Sequence, residues 1–330
     1  MKRRKFITLL GGAAAAWPLT ARAQQPIPLK RVGWIPNAAA EDDAFVQVVS
    51  RALSEALGKL GWKEGGNLLL DQRTNVGGDF GRFRLAAAEL VKAAPDAILC
   101  QGTPQTAIFK QLTTTIPIVF VNVADPVASG FVASFARPSG NITGLVSVEY
   151  SLAGKWLSIL KDIAPAVSRV MVLFNPVNSN WTGYLPTIEA GAPSLQVEVT
   201  AVKASNAEDV SMAVESFARL PNSGMIVLPA TTSINRHVIA SLAAKHRLPA
   251  VYPYDYFAEA GGLVSYGSDI RDLYRRAASY IDRILRGEKP SDLPIQAPVK
   301  FELVINLKAA KTIGLEVPYN VLILADRVID

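Results

Sequence analysis

The 330-residue chain has one cysteine, two histidines and, past its first two dozen residues, no apolar run as long as a bilayer is thick. Each shortage closes a class of function. A lone Cys100 excludes an intramolecular disulfide, and at the end of the apolar run 96–100 it reads as a buried, inert thiol. His237 and His246 fall on one expected helix, so no histidine lies beside a suitable serine or the cysteine. No GxSxG elbow, P-loop or GxGxxG occurs, and the glycines at 77, 78 and 81 lack the spacing and read as a loop. No His, Cys and Asp cluster has metal-ligand spacing. Neither a cofactor nor a metal is expected, and no enzymatic activity.

The N-terminus has the form of an export signal. Lys2, Arg3, Arg4 and Lys5 precede an apolar stretch from Phe6 to Trp17, and Ala21-Arg22-Ala23 has the small-x-small form of a cleavage site. The stretch is too short to span roughly 30 Å of hydrocarbon, and Pro18 interrupts it. Residues 1–23 therefore read as a signal peptide, and Arg3-Arg4 followed by Phe6-Ile7 reads as the twin-arginine type rather than Sec. The net charge of +6 comes mostly from this segment: without its five cations, 29 Lys and Arg face 28 Asp and Glu. Nucleic acid is thereby excluded as a partner, since phosphate binding needs clustered surplus cations. No cysteine stands at the cleavage site, so no lipid anchor is expected and the product reads as free in the periplasm.

What is present is a repeat. The first half runs strand 31–37, helix 45–60, strand 67–75, helix 83–93, strand 96–104, helix 105–113, and strands 116–126 and 141–147. The second half repeats the order, with strands 169–176, 195–202, 224–232, 248–255 and 261–267, and helices 207–219 and 235–246. The strands are unbroken apolar runs, the pattern of parallel sheets covered on both faces. The fold class expected is α/β: two doubly wound Rossmann-like lobes with mostly parallel sheets and a ligand cleft between them. The segment 181–194, broken by Pro186, Gly191 and Pro193, reads as an interrupted helix. A helix 272–286, a Pro-rich connector 288–298, a strand ending near 305 and a helix 307–313 remain after the repeats. Each lobe would take part of this tail, giving a hinge of three crossings near 145–150, 266–270 and 288–299. The lobes would be 30–146 plus about 268–290, and 147–267 plus about 291–330.

In such sheets a ligand lies outside the carboxyl ends of the strands. Those ends supply Asn37, Gly102, Thr103, Asn122, Asp125, Asn175, Asn178, Thr231, Tyr252, Asp255 and Tyr266 as candidate ligand-binding residues. Gly102-Thr103 and Thr231-Thr232 precede helices, whose unpaired N–H groups suit a carboxylate. Asp255 and Asp125 are candidates to face an amine, and Trp34, Trp181, Tyr252, Tyr254 and Tyr266 to form walls. The plain alternative is that these residues cap helices and fill turns, Asp125-Pro126 most of all.

The segments GTPQTA (102–107), TTTIPIVFVNVADPVASGFVASFARPSGNITG (113–144), AAKHRLPAVY (243–252), EAGGLVSYG (259–267), DLYRRAASYIDRILRGEKPSDLP (272–294) and KFELVINLKAAKTIGLEVP (300–318) carry a resemblance. Over nearly its whole length the chain resembles ABC-transporter substrate-binding proteins related to tryptophan- and tyrosine-binding members, with the type 1 periplasmic-binding fold. The resemblance implies a periplasmic receptor that closes on a small solute, an amino acid or an aromatic or carboxylate-bearing compound. It further implies delivery to an ABC permease, with its ATPase, at the inner membrane; a monomer is expected. Family positions correspond to Gly102-Thr103, Asp125-Pro126, Asn175-Pro176 and Ser265-Tyr266-Gly267. The chain departs from the family at Ala230, usually acidic, and in 181–194, usually a longer helix. A receptor for a membrane signalling protein, or less simply an enzyme, could use the same scaffold.

Overall fold

The structure is a computed structural model that describes residues 29–36, 44–74, 80–123, 125–146, 150–176, 180–229 and 236–330. The expected signal peptide lies outside the described residues. In chain order the first half comprises β1 (Lys30–Trp34), α1 (Ala44–Lys59), β2 (Leu68–Gln72), α2 (Phe80–Lys92), β3 (Ala97–Gln101), α3 (Thr103–Leu112), β4 (Ile118–Val123) and β5 (Ile142–Val146). Next come α4 (Leu152–Ile163), β6 (Arg169–Phe174), α5 (Trp181–Gly191), β7 (Glu198–Lys203), α6 (Ala207–Phe217), β8 (Ser223–Val227), α7 (Arg236–Lys245), β9 (Ala250–Tyr252), α8 (Asp255–Glu259) and β10 (Val264–Ser268). The tail holds α9 (Ile270–Leu285), β11 (Phe301–Asn306), α10 (Leu307–Ile313), α11 (Tyr319–Leu322) and β12 (Arg327–Ile329).

The repeat holds strand by strand. The first sheet has the order β2-β1-β3-β4-β5, and the second contains the matching run β7-β6-β8-β9-β10, extended by β11 and β12. Every pairing is parallel except β10 with β11, which run antiparallel. Successive side chains of a strand go to opposite faces, so a strand covered on both sides must be apolar at every position. In β3, Ala97 and Leu99 join the core under α1 and α9, while Ile98 and Cys100 join the core under α2 and α3. Burial pushes the Cys100 thiol up to about 12, which leaves it protonated and unreactive.

Helix α9 belongs to the layer over the first sheet, where Leu273, Tyr274, Ala277 and Ile281 pack with α1 residues Val46, Val49 and Leu53. The chain then stays beside β5: Thr143 Oγ1 donates to the Leu293 carbonyl at 2.6 Å, and Val146 N–H to the Gln296 carbonyl at 2.9 Å. It reaches the second sheet at Phe301. Three passages between the sheets result, after β5, between β10 and α9, and between Gln296 and β11.

The segment 181–194 differs from expectation. Pro186 sits inside the continuous helix α5, and only Pro193 starts a separate 3-10 turn. Tyr184, Leu185 and Ile188 are buried against α4, and this packing outweighs the roughly 3 kcal/mol an interior proline costs. Helix α4 follows the same logic, burying Leu152, Ala153, Trp156, Leu157, Leu160 and Ile163 along one stripe. Among the described residues no helix is long and apolar enough to cross a membrane.

Candidate functional site

The carboxyl end of β4 meets the segment that follows β9 between the two sheets. Register between β4 and β5 shifts between Val121 and Val123, and Asn122, left over at the bulge, takes φ 59°. A left-handed backbone is uncommon outside glycine, though asparagine tolerates it. The Asn122 amide oxygen accepts a hydrogen bond of 3.0 Å from the hydroxyl of Tyr254, which follows β9. One hydrogen bond therefore ties a strand end of the first sheet to a strand end of the second.

Gly267 makes that contact possible from behind. A Cβ there would lie 1.8 Å from the Pro253 carbonyl oxygen, so only glycine lets the segment leading into Tyr254 lie against β10. Around Tyr254 stand further tyrosines. Tyr150 meets Tyr184 edge-on at 5.0 Å between centroids, and Trp156 contacts Tyr184 at 5.1 Å. Gly183 gives Tyr150 its room, since a Cβ at 183 would lie 2.3 Å from its ring. Trp181 lies on Phe174 at 4.8 Å, beside the end of β6. Burial and then the Asp125 carboxylate raise the Tyr150 hydroxyl above its ordinary pKa. Burial, followed by Tyr254 and Tyr150, does the same at Tyr184. These phenols stay protonated, able to donate as well as accept hydrogen bonds.

At the first sheet, Gly102 (φ 87°) turns the chain from β3 into α3, which carries Pro104 in its first turn. Its N–H donates to the Val121 carbonyl, and its carbonyl accepts from Thr106. Thr103 is half-buried there. Asp125 holds the turn after β4 by accepting from the N–H groups of Val127 and Ala128. Asn175 follows β6 and is half-buried. Gly102, Thr103, Asn122, Asp125 and Asn175 thus sit at or just past the carboxyl ends of β3, β4 and β6, whereas Asn37, Asn178 and Thr231 lie outside the described residues.

Three candidates are corrected. Tyr252 is fully buried, stacked on Phe257 at 4.8 Å in the core beneath α6 and α7, because it is still inside strand β9. Tyr266 turns onto α4, where it stacks on Phe301, its hydroxyl accepts from Lys155 Nζ at 3.2 Å and its carbonyl accepts from Trp156 Nε1 at 2.7 Å. Asp255 is held in ion pairs of 2.8 Å with Arg271 and 3.1 Å with Arg327. Burial raises its pKa, with the two arginines opposing. Trp34, a candidate wall, is also fully buried, 5.7 Å from Tyr274. The sequence reading missed Tyr150, whose ring packs on Gly183 from far along the chain with no local pattern to mark it. Among the described residues, no group of three His, Cys, Asp or Glu side chains could hold a metal.

The family described as ABC transporter substrate binding protein matches residues 38–329. The chain belongs to that family. Among curated proteins, the "Tyrosine-binding protein" of Clostridioides difficile is 24% identical over 268 residues, 79% of this chain and 75% of that protein. Among solved structures, the ABC domain in complex with L-Trp from Streptococcus pneumoniae has a TM-score of 0.82 at 21% identity, covering 91% of this chain and 100% of that one. A ligand-free, open substrate binding protein with adhesive properties from Clostridium difficile has a TM-score of 0.65 at 22% identity, covering 88% of this chain and 97% of that one. The matches agree with the α/β class of the type 1 periplasmic-binding fold and with a relation to tryptophan and tyrosine binders.

Proposed function

We propose that this protein is the periplasmic solute-binding component of an ABC importer, closing on a small solute, an amino acid or an aromatic or carboxylate-bearing compound, and delivering it to the permease. The first lobe is residues 30–146 with about 268–296, since the chain stays beside β5 as far as Gln296, and the second is 147–267 with about 297–330. The observation that carries the reading is the Tyr254–Asn122 hydrogen bond, which joins the strand ends of both sheets across one cleft. A ligand that touches both lobes favours the closed form by its differential affinity for the two states.

In this reading Asn122, Asn175 and the Gly102-Thr103 turn, with Asn37, Asn178 and Thr231, supply polar contacts, and Tyr150 and Trp181 the aromatic wall. The α3 N-terminus beside Gly102-Thr103 takes the solute carboxylate. Asp125 is the candidate carboxylate to face a solute amine. Residues 1–23 direct export by the twin-arginine route, and the mature monomer reaches the permease and its ATPase without a lipid anchor.

A thermal-shift screen of amino acids, aromatic acids and nucleosides tests this, because a ligand at 100 times its Kd stabilises by about 2.7 kcal/mol. A stabilising hit whose binding also lowers the radius of gyration is the expected result. A hit that leaves X-ray scattering unchanged would overturn closure, and stabilisation by nucleosides alone would overturn the solute class.

A further inference from the structure

Residues 254–256 leave the second sheet and touch the first-sheet layer three times in succession. The Tyr254 hydroxyl donates to Asn122 on β4 at 3.0 Å. The Asp255 carboxylate pairs with Arg271 on α9 at 2.8 Å. The Tyr256 ring meets Phe45 on α1 edge-on, 5.0 Å between centroids. We propose that this segment is the clasp that holds the cleft closed, and that Asp255 is a positioning residue which docks the start of α8 on α9 so that Tyr254 reaches Asn122. The inference rests on the reading of the two sheets as lobes that part and close.

The charges around Asp255 suit a contact that must break and reform. Arg271 also pairs with Asp269 at 3.4 Å and with Glu302 at 3.0 Å, while Asp255 also pairs with Arg327, which in turn pairs with Glu259 at 2.7 Å. Opening separates Arg271 from Asp255 and leaves each with a partner of its own. Asp269 is the residue next but one to Arg271 and caps the same helix; Arg327 stands on β12 beside α8. No buried charge is stranded, so the large penalty for breaking a buried pair is avoided and the clasp can cycle. Tyr256 carries a similar fallback on its own side, with the Arg236 guanidinium 5.7 Å from its ring centroid.

The consequence for recognition is specific. A carboxylate that gripped a solute ammonium would distinguish amines from their deaminated analogues; loss of a clasp weakens every ligand by one common factor. The test uses the full mature chain with nitroxides on Leu85→Cys of α2 and Met212→Cys of α6, both exposed, while buried Cys100 stays unlabelled. Electron-spin distance distributions report the closed fraction with and without ligand, and calorimetry measures L-tryptophan and 3-indolepropionate, which differ by the amine. Asp255→Asn is expected to move the distribution toward the longer distance and to weaken both probes about tenfold. Tyr254→Phe, which removes one hydroxyl and keeps the fold, is expected to do so roughly threefold, and Asp255→Glu to restore part of the closed fraction. A distance distribution unmoved by either variant, or an Asp255→Asn loss confined to L-tryptophan, overturns the proposal. If the wild type binds neither probe, the proposed aromatic solute fails and the ligand-free distances still decide the clasp.

Discussion

Asp269 is the place to test the hinge energetics. Its side chain is 1% exposed and sits between two of the three passages. One carboxylate oxygen accepts from the N–H groups of Arg271 and Asp272, capping α9 at 2.9 and 3.2 Å, and the other accepts from Lys300 Nζ at 2.9 Å. Its own N–H donates to the Lys300 carbonyl, so the strands entering and leaving the first-sheet layer are bound to each other here. Asp269→Asn keeps a cap of equal quality, removes the charge and replaces the oxygen that accepts from Lys300 with an NH2 donor. A hydrogen bond to a charged group contributes about 1.5–3 kcal/mol, and because Lys300 is half exposed the lower end applies, about 1.5 kcal/mol. Asp269→Ala also loses the cap, about 1 kcal/mol more. The charges around it hold the Asp269 carboxyl below the usual carboxylate range, against the effect of its burial. A depressed carboxylate stabilises the fold above its unfolded pKa of about 3.9 and ceases to do so as the pH falls through the folded value. Urea unfolding of wild type and Asp269→Asn should therefore give equal gaps at pH 7 and pH 5 and a smaller gap at pH 3. No gap at pH 7, or one that widens between pH 7 and pH 5, would refute the reasoning.

The buried Tyr252 hydroxyl meets no partner among the described residues, so Tyr252→Phe should hold or raise thermal stability, by up to about 1 kcal/mol, and leave solute affinity as it was; a loss in either assay counts against its place in the core. Gly267→Ala forces a methyl into the Pro253 carbonyl and should cost at least about 3 kcal/mol, seen as insoluble expression or a collapsed melting temperature, and wild-type melting would contradict it. Trp62 Nε1 donates to Asp282 at 2.8 Å and its ring carries the Arg286 guanidinium at 5.6 Å. Trp62→Phe should cost about 1.5 kcal/mol in urea unfolding and loosen α9 from the loop after α1, with faster amide exchange there as the check.

The architecture was legible because parallel sheets write their pattern into every strand. The runs at 97–100 and 118–121 are apolar at consecutive positions since both faces are covered, and the same five-strand order twice over announces a duplicated fold. Helix α4 escaped although its apolar stripe, Leu152, Trp156, Leu160 and Ile163, has helical spacing; the other elements that escaped lack such a pattern. Strand β12 is three residues at an edge, with Val328 exposed, and α8 spans five residues with no room for a periodic stripe. Helix α5 was hidden by Pro186, whose cost is met by contacts with α4 far along the chain.

The candidate site shows where strand-end reasoning loses resolution. It selects loops correctly in kind, but a side chain's direction changes with each residue and the end of an all-apolar strand has no marker. Val264 faces the core under α4, so Tyr266, two positions on in β10, faces it too. Tyr252 and Tyr254 are two residues apart, yet the strand stops between them: the first stays in the core and the second, past Pro253, reaches the opposite sheet. Asp255 could be read as a ligand carboxylate only while Arg271 and Arg327 were unseen, and both are remote in sequence. A carboxylate already engaged by two guanidiniums has little field left for a ligand amine. If recognition of an amine needs an acid, the chain must therefore bring it from a strand-end loop other than the one that carries Asp255. An amine-dependent affinity that survives Asp255→Asn would be the signature of that arrangement.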